Sequence, residues 1–301
     1  MSNLSFAFIW MTVGIIVMTL LFIFLYLGYL KKVPYTVPLI SMASIAVYII
    51  IGMPIVMLFM QAVAPGMFTD SAESVRQINT ISLIAFSVLV PLTIFIAMKF
   101  VVNKTESPIA ALSFGMSAGW IQMILPSGAA AMISIVMAMN DINKRTIPVV
   151  LAEAQKGLRN AYPLFMGIEI AKSGTAAINT SVVRQASIEI LNRAAENEIS
   201  AFTGLSPYYF LSLGMDAVIL LLASVGVALW ALKAWKNKRW FALIPIAVAG
   251  NVLVQIPAIL RPIEPQPIDK YFLYTVFSLI IAAIFAFSGK FIQKMKIPGD
   301  K

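Results

Sequence analysis

The chain has 301 residues, 60% of them apolar and 12% charged, and carries a formal charge of +9. Soluble domains average roughly 45–50% apolar and about 25% charged, so this composition excludes a water-soluble globule and a disordered chain alike. Cysteine and histidine are both absent. Their absence removes disulfides, thiolate nucleophiles, iron–sulfur clusters, zinc or haem held by imidazole or thiolate, and every Ser-His-Asp triad. No metal or organic cofactor is expected. The 17 methionines, without thiol or imidazole companions, read as adaptable packing rather than a copper site.

Crossing a hydrocarbon core takes roughly 20 helical residues. Apolar stretches of that order run over 6–30, 37–60, 78–103, 108–139, 207–232, 240–260 and 271–289. Lipid supplies no hydrogen-bond partner to the backbone, so such spans form helices or a closed barrel. Barrel strands alternate apolar and polar residues in short segments, whereas these runs are continuously apolar. The expectation is an all-α, polytopic transmembrane helical bundle of about seven spans, a single domain over 1–301.

The first stretch, Phe6 to Leu30, has no basic residue before it and is followed by Lys31 and Lys32. A secretory signal has the opposite arrangement, so this stretch reads as a retained anchor with its N-terminus outside. Alternating spans then place 12 bases and 2 acids on the cytoplasmic side, including Lys99, Lys104, the 233–239 cluster and Lys290. That side holds +10 and the remainder of the chain −1. Positive-inside bias therefore accounts for the whole basic excess. No nucleic-acid partner is needed; membrane lipids, anionic ones above all, suit the same patches. The chain reads as a multi-pass protein of the cell membrane, with its C-terminus cytoplasmic.

Small residues punctuate the fourth span. Gly115 and Gly119 form a GxxxG step, and Pro126, Ser127 and Gly128 follow. The step permits close helix approach, and the proline allows a break or re-entrant bend. Pro54, Pro91, Pro245 and Pro257 interrupt other spans.

Residues 140–206 do not suit lipid, holding 13 charges among small and apolar residues. Ile178, Val182, Ala186 and Ile190 recur every fourth position and would form an apolar stripe on a charged helix. This segment is expected to be an extracytoplasmic amphipathic helical cap inserted between spans four and five. It would be a solvated excursion, a lid or a docking surface.

Buried polar groups in lipid are costly and need a partner or a purpose. The candidates are Gln122 and Ser117 in the fourth span, Asp216 in the fifth, and Asn251 and Gln255 in the sixth. Asn251 and Gln255, four apart, share a helix face. Amides commonly join helices by hydrogen bonds. An ionised Asp216 must pair, face water or take up a proton. Together these residues form a candidate intramembrane ligand site.

Four stretches then carry a family resemblance. The run 87–104 ends in a Met98-Lys99-Phe100 step and Lys104, with Val90, Pro91 and Ile94 ahead of it. The run 114–122 keeps Phe114, Gly115 and Gly119 and ends in Gln122, with Ala118 within it. The run 213–223 holds Met215, Asp216 and Ala223, and 251–257 holds Asn251, Gln255 and Pro257. In order and spacing they resemble the YhfC family of bacterial glutamic-type intramembrane proteases, distant relatives of the CAAX-processing membrane proteases. The likeness runs over about residues 80–260. It implies paired glutamates at Val90 and Pro91 with an arginine at Ile94. It also implies a histidine at Ala118 and a glutamate at Gln122. Met215 and Asp216 stand for a Glu-Arg pair, Ala223 and Asn251 for histidines, and Gln255 for an aspartate. The frame is kept and the proposed catalytic groups are replaced.

A membrane protease must activate water and steady an oxyanion, and alanine, valine, proline and amides cannot take the proton. The resemblance thus implies a catalytically silent scaffold, with no catalytic residue assigned. It would bind a peptide, a lipid or a membrane-protein partner such as a transporter or sensor subunit. Two alternatives stay open. One is an active protease with a non-standard site in which Asp216 works with Glu153, Glu169 or Ser127. The other is a small transporter or flippase.

Overall fold

In the computed structural model, residues 3–64, 72–102, 107–124, 207–259 and 268–294 are described. Among them every element is helical. Helix α1 (Asn3–Leu21) continues through wide π turns over Phe22–Leu30. Helix α2 (Thr36–Val47) passes through a second π segment, Tyr48–Gly52, into α3 (Met53–Val63). Then come α4 (Ala72–Val102), α5 (Pro108–Met123), α6 (Pro207–Lys236), α7 (Trp240–Ile259) and α8 (Ile268–Lys294).

Among the described residues six segments are long and apolar enough to cross a membrane: Ala7–Leu30, Thr36–Val63, Thr80–Val102, Pro207–Lys236, Trp240–Pro257 and Phe272–Gln293. They coincide with six of the seven expected stretches. The fourth is described only as α5, and its continuation to 139, with Pro126, Ser127 and Gly128, lies outside the described residues. So does the expected cap at 140–206. The outside of the bundle is as apolar as its inside: Phe59, Phe287 and Phe241 are 66%, 69% and 82% exposed. In water such a surface would aggregate; in lipid it is the solvated face. The protein is an integral membrane protein.

The helix boundaries have local causes. Ser107 caps α5 by accepting a hydrogen bond from the Ile109 N–H at 3.2 Å, and Pro108 occupies the first helical turn, where its missing N–H costs nothing. The π segment Tyr48–Gly52 sits just before Pro54, whose ring would crowd the preceding turn of an ordinary helix. Between the first π segment and α2 the chain reverses through Lys32, at φ 54°. The turn folds so tightly that a Cβ on Gly28 would meet the Tyr35 ring at 2.5 Å.

Helix α6 is the axis. Over an 18-residue apolar stretch of its span 61% of residues are buried, against 39% or less in the matching stretches of the other five, and it packs on α1, α4, α5, α7 and α8. Against α5 it runs antiparallel at backbone distance: a Cβ on Gly115 would lie 2.6 Å from Val225 Cα, and one on Gly119 would lie 2.7 Å from Leu221 Cα. The GxxxG step of the sequence is this crossing. On the opposite side Phe285 of α8 wedges its ring against Gly226 of α6 and Gly250 of α7. The core joins Leu27, Ile45, Ile94, Met98, Phe114, Leu232 and Val254.

Indole N–H groups tie helices together as well. Trp120 donates to the Ile16 carbonyl and Trp235 to the Phe95 carbonyl, both at 2.9 Å. These contacts fix the helix directions. The C-terminal ends of the first span, α4, α6 and α8 therefore gather at one end of the bundle, bringing Lys31, Lys32, Lys99, Lys233, Lys236, Lys238, Arg239 and Lys290 to it. The described acids lie toward the other end: Glu73 and Asp269 in the first turns of α4 and α8, and Asp216 in the third turn of α6.

Candidate functional site

Pro91 lies inside α4. Proline has no N–H, so the carbonyl four residues earlier, that of Ser87, loses its helical partner. The missing donor comes from another helix: Asn251 of α7 donates its Nδ2 to the Ser87 carbonyl at 2.8 Å, across 164 residues of sequence. Asn251 is 4% exposed. Its amide thus closes a gap that proline opens in a buried helix, where an unsatisfied carbonyl would cost about 1–3 kcal/mol. Gln255, one turn on, is buried as well.

A second junction links α5 to α6. Gln122, 3% exposed, donates its Nε2 to the Ser224 hydroxyl at 2.9 Å. The glycine crossing permits this bond by letting the two backbones approach. Ser117 turns back on its own helix, its hydroxyl donating to the Ser113 carbonyl at 2.7 Å, a common arrangement for hydroxyls in helices. The Ser113 hydroxyl itself is buried and has no hydrogen-bond partner.

Asp216 is half-buried and stands two helical turns after Tyr209 on α6. It also has interactions of its own within the protein. Among the described residues it is the one acid inside a membrane-length apolar segment.

The five candidate residues are therefore spread over separate helix contacts. Gln122 belongs to the α5–α6 seam, Asn251 to the α4–α7 seam, and Ser117 bonds within α5. What the helices bring together are the four sequence stretches in pairs: 87–104 with 251–257 through Asn251 and Ser87, and 114–122 with 213–223 through the glycine crossing. Of the positions singled out in those stretches, Val90, Pro91, Ile94, Ala118, Gln122, Ala223, Asn251 and Gln255 are buried, whereas Met215 and Asp216 are half-buried. Chemically the buried positions are neutral, and Asp216 is the one carboxylate beside them. Amides donate and accept hydrogen bonds but do not titrate, and the apolar groups do neither.

Sequence reasoning missed Ser87 and Ser224, the acceptors of the two amides. One signal was available: every mid-helix proline leaves a carbonyl four residues back in need of a donor. For Ser224 no local signal exists. Among the described residues no three acids form a metal-binding group. Compared with known proteins, the chain matches no family model, and no curated protein or solved structure matches it.

Proposed function

We propose that this integral membrane protein is a catalytically silent, YhfC-like scaffold. In this reading it acts as a binding or accessory subunit for a peptide, a lipid or a membrane-protein partner such as a transporter or sensor subunit. One observation carries the proposal. The stretches that resemble protease motifs meet in the bundle interior, where the buried positions hold apolar side chains and amides and the one carboxylate is the half-buried Asp216. Two of those amides are engaged: Asn251 on the Ser87 carbonyl and Gln122 on the Ser224 hydroxyl. A hydrolytic site of the resembled kind would need several titratable groups at those places, and Asp216 is the one carboxylate in the four stretches.

The gathering of bases at one end of the helices supports a cytoplasmic placement of that end, by positive-inside bias. It also supports an outside N-terminus for α1.

The test is hydrolysis of membrane-spanning peptides by the purified protein in liposomes, run beside affinity purification from native membranes with mass spectrometry of what remains bound. The proposal expects no cleavage and a stoichiometric partner. Cleavage that disappears in Asp216→Asn would overturn it in favour of an aspartate-based protease. Movement of a lipid or solute by the protein alone would overturn it in favour of a transporter.

A further inference from the structure

At the basic end four rings stack in one ladder across three helices. Phe95 of α4 lies 4.8 Å from Trp235 of α6, Trp235 lies 6.0 Å from Trp240 of α7, and Trp240 lies 4.5 Å from Phe241. All three pairs are near parallel, with interplanar angles of 21–23°. The Trp235 indole is further pinned by its hydrogen bond to the Phe95 carbonyl. Phe241 closes the ladder 82% exposed, the most exposed large apolar side chain described. Indole rings with a polar edge and an apolar body suit the headgroup level of a bilayer.

Charge is built around this ladder. Lys99 holds its ammonium 5.6 Å from the Trp235 ring centroid, within cation–π range. The turn joining Trp235 to Trp240 reads Lys236-Asn237-Lys238-Arg239. Its backbone is tightly closed: the N–H groups of Asn237, Lys238 and Arg239 donate to the carbonyls of Lys233, Trp235 and Ala234. Lys238 takes the left-handed conformation at φ 53°, unusual for a lysine. The Asn237 Nδ2 is buried and has no hydrogen-bond partner, an arrangement that costs energy unless a ligand supplies an acceptor. Lys233, Lys236 and Arg239 already have interactions within the protein, so the groups offered to a ligand are Lys238, the Asn237 amide and Lys99, whose ammonium the Trp235 ring holds beside the turn.

We propose that this turn and ladder form a specific site for the headgroup of an anionic phospholipid. The phosphate would take the Asn237 amide and the charges of Lys99 and Lys238. The acyl chains would lie along the edge of the ladder and the exposed ring of Phe241. Charge complementarity selects an anion, and the position at the end of the apolar spans selects one that carries its own hydrocarbon. The proposal stands apart from the accessory-subunit reading, since it concerns a different part of the molecule.

The test uses the full chain in phosphatidylcholine vesicles doped with brominated phosphatidylglycerol or brominated phosphatidylcholine, reading quenching of tryptophan fluorescence. The wild type is expected to be quenched more strongly by the anionic lipid. Lys99→Gln and Asn237→Ala should each reduce that preference, the former by about fivefold, the effect expected of one base near the surface. Lys99→Arg should keep it. Lys290→Gln removes a base from the same end but outside the ladder and should change the preference less than about twofold. If Lys290→Gln lowers it as much as Lys99→Gln, the attraction is a diffuse field and the site is refuted. Equal quenching by the two lipids in the wild type refutes it too. Inorganic phosphate in the buffer should leave the preference intact; displacement would assign the turn to a soluble anion and overturn the lipid proposal.

Discussion

Asn251 and Pro91 make the sharpest prediction, because the argument for their pairing is arithmetic about hydrogen bonds. Replacing Asn251 by leucine keeps most of the volume and removes the donor that reaches Ser87 at 2.8 Å. The Ser87 carbonyl, already deprived of its helical partner by Pro91, is then orphaned in a buried seam. Interhelical hydrogen bonds in membranes average about 0.6 kcal/mol and reach roughly 1.7 kcal/mol, whereas a stranded buried carbonyl costs about 1–3 kcal/mol. The expected loss for Asn251→Leu is therefore about 2 kcal/mol, above the membrane average.

In a Pro91→Ala background the introduced alanine supplies the missing backbone N–H to the Ser87 carbonyl. Asn251→Leu then removes only a second bond to an acceptor that is already satisfied, and its cost should fall to about 0.5 kcal/mol. A double-mutant cycle measured by reversible unfolding in mixed micelles should give a coupling of about 1.5 kcal/mol, within the range for residues in contact. If Asn251→Leu costs the same with proline and with alanine at position 91, the amide is not serving the proline gap, and the reasoning fails.

The glycine crossing predicts a position-specific penalty. Gly115→Ala places a methyl 2.6 Å from Val225 Cα and 2.8 Å from the Ser224 carbonyl oxygen, backbone atoms that cannot rotate away, so a loss of about 1–3 kcal/mol is expected in thermal melts. Gly14→Ala meets nothing within 4 Å and should be neutral or stabilising by up to about 1 kcal/mol, through helix propensity alone; equal losses at both positions would contradict the crossing. For the α5–α6 bond, Gln122→Leu should cost about 1–2 kcal/mol by stranding the Ser224 hydroxyl, and adding Ser224→Ala should restore most of it. Failure of the second substitution to rescue the first, in the same unfolding assay, would remove that bond from the account.

The membrane-embedded helical body was legible from composition alone, because hydropathy is a local property and each span carries its own signal. Its six long apolar segments agree with the sequence boundaries within a few residues. The GxxxG step was legible too, although not the helix it would meet. What stayed hidden is non-local. Nothing near Asn251 announces Ser87, and nothing near Gln122 announces Ser224, 102 residues away. The wedge of Phe285 between Gly226 and Gly250 and the stacking of Phe95 on Trp235 are hidden for the same reason. The π turns near Pro54 and after α1 escaped because periodicity cannot distinguish a widened turn from an ordinary one. Residue type and spacing thus determined that the chain enters the membrane and about where each helix begins. Only the packing of helices decided which polar groups meet. In lipid a hydrogen bond must find its partner inside the protein, and that partner is chosen by the position of a neighbouring helix rather than by any feature of the adjoining sequence.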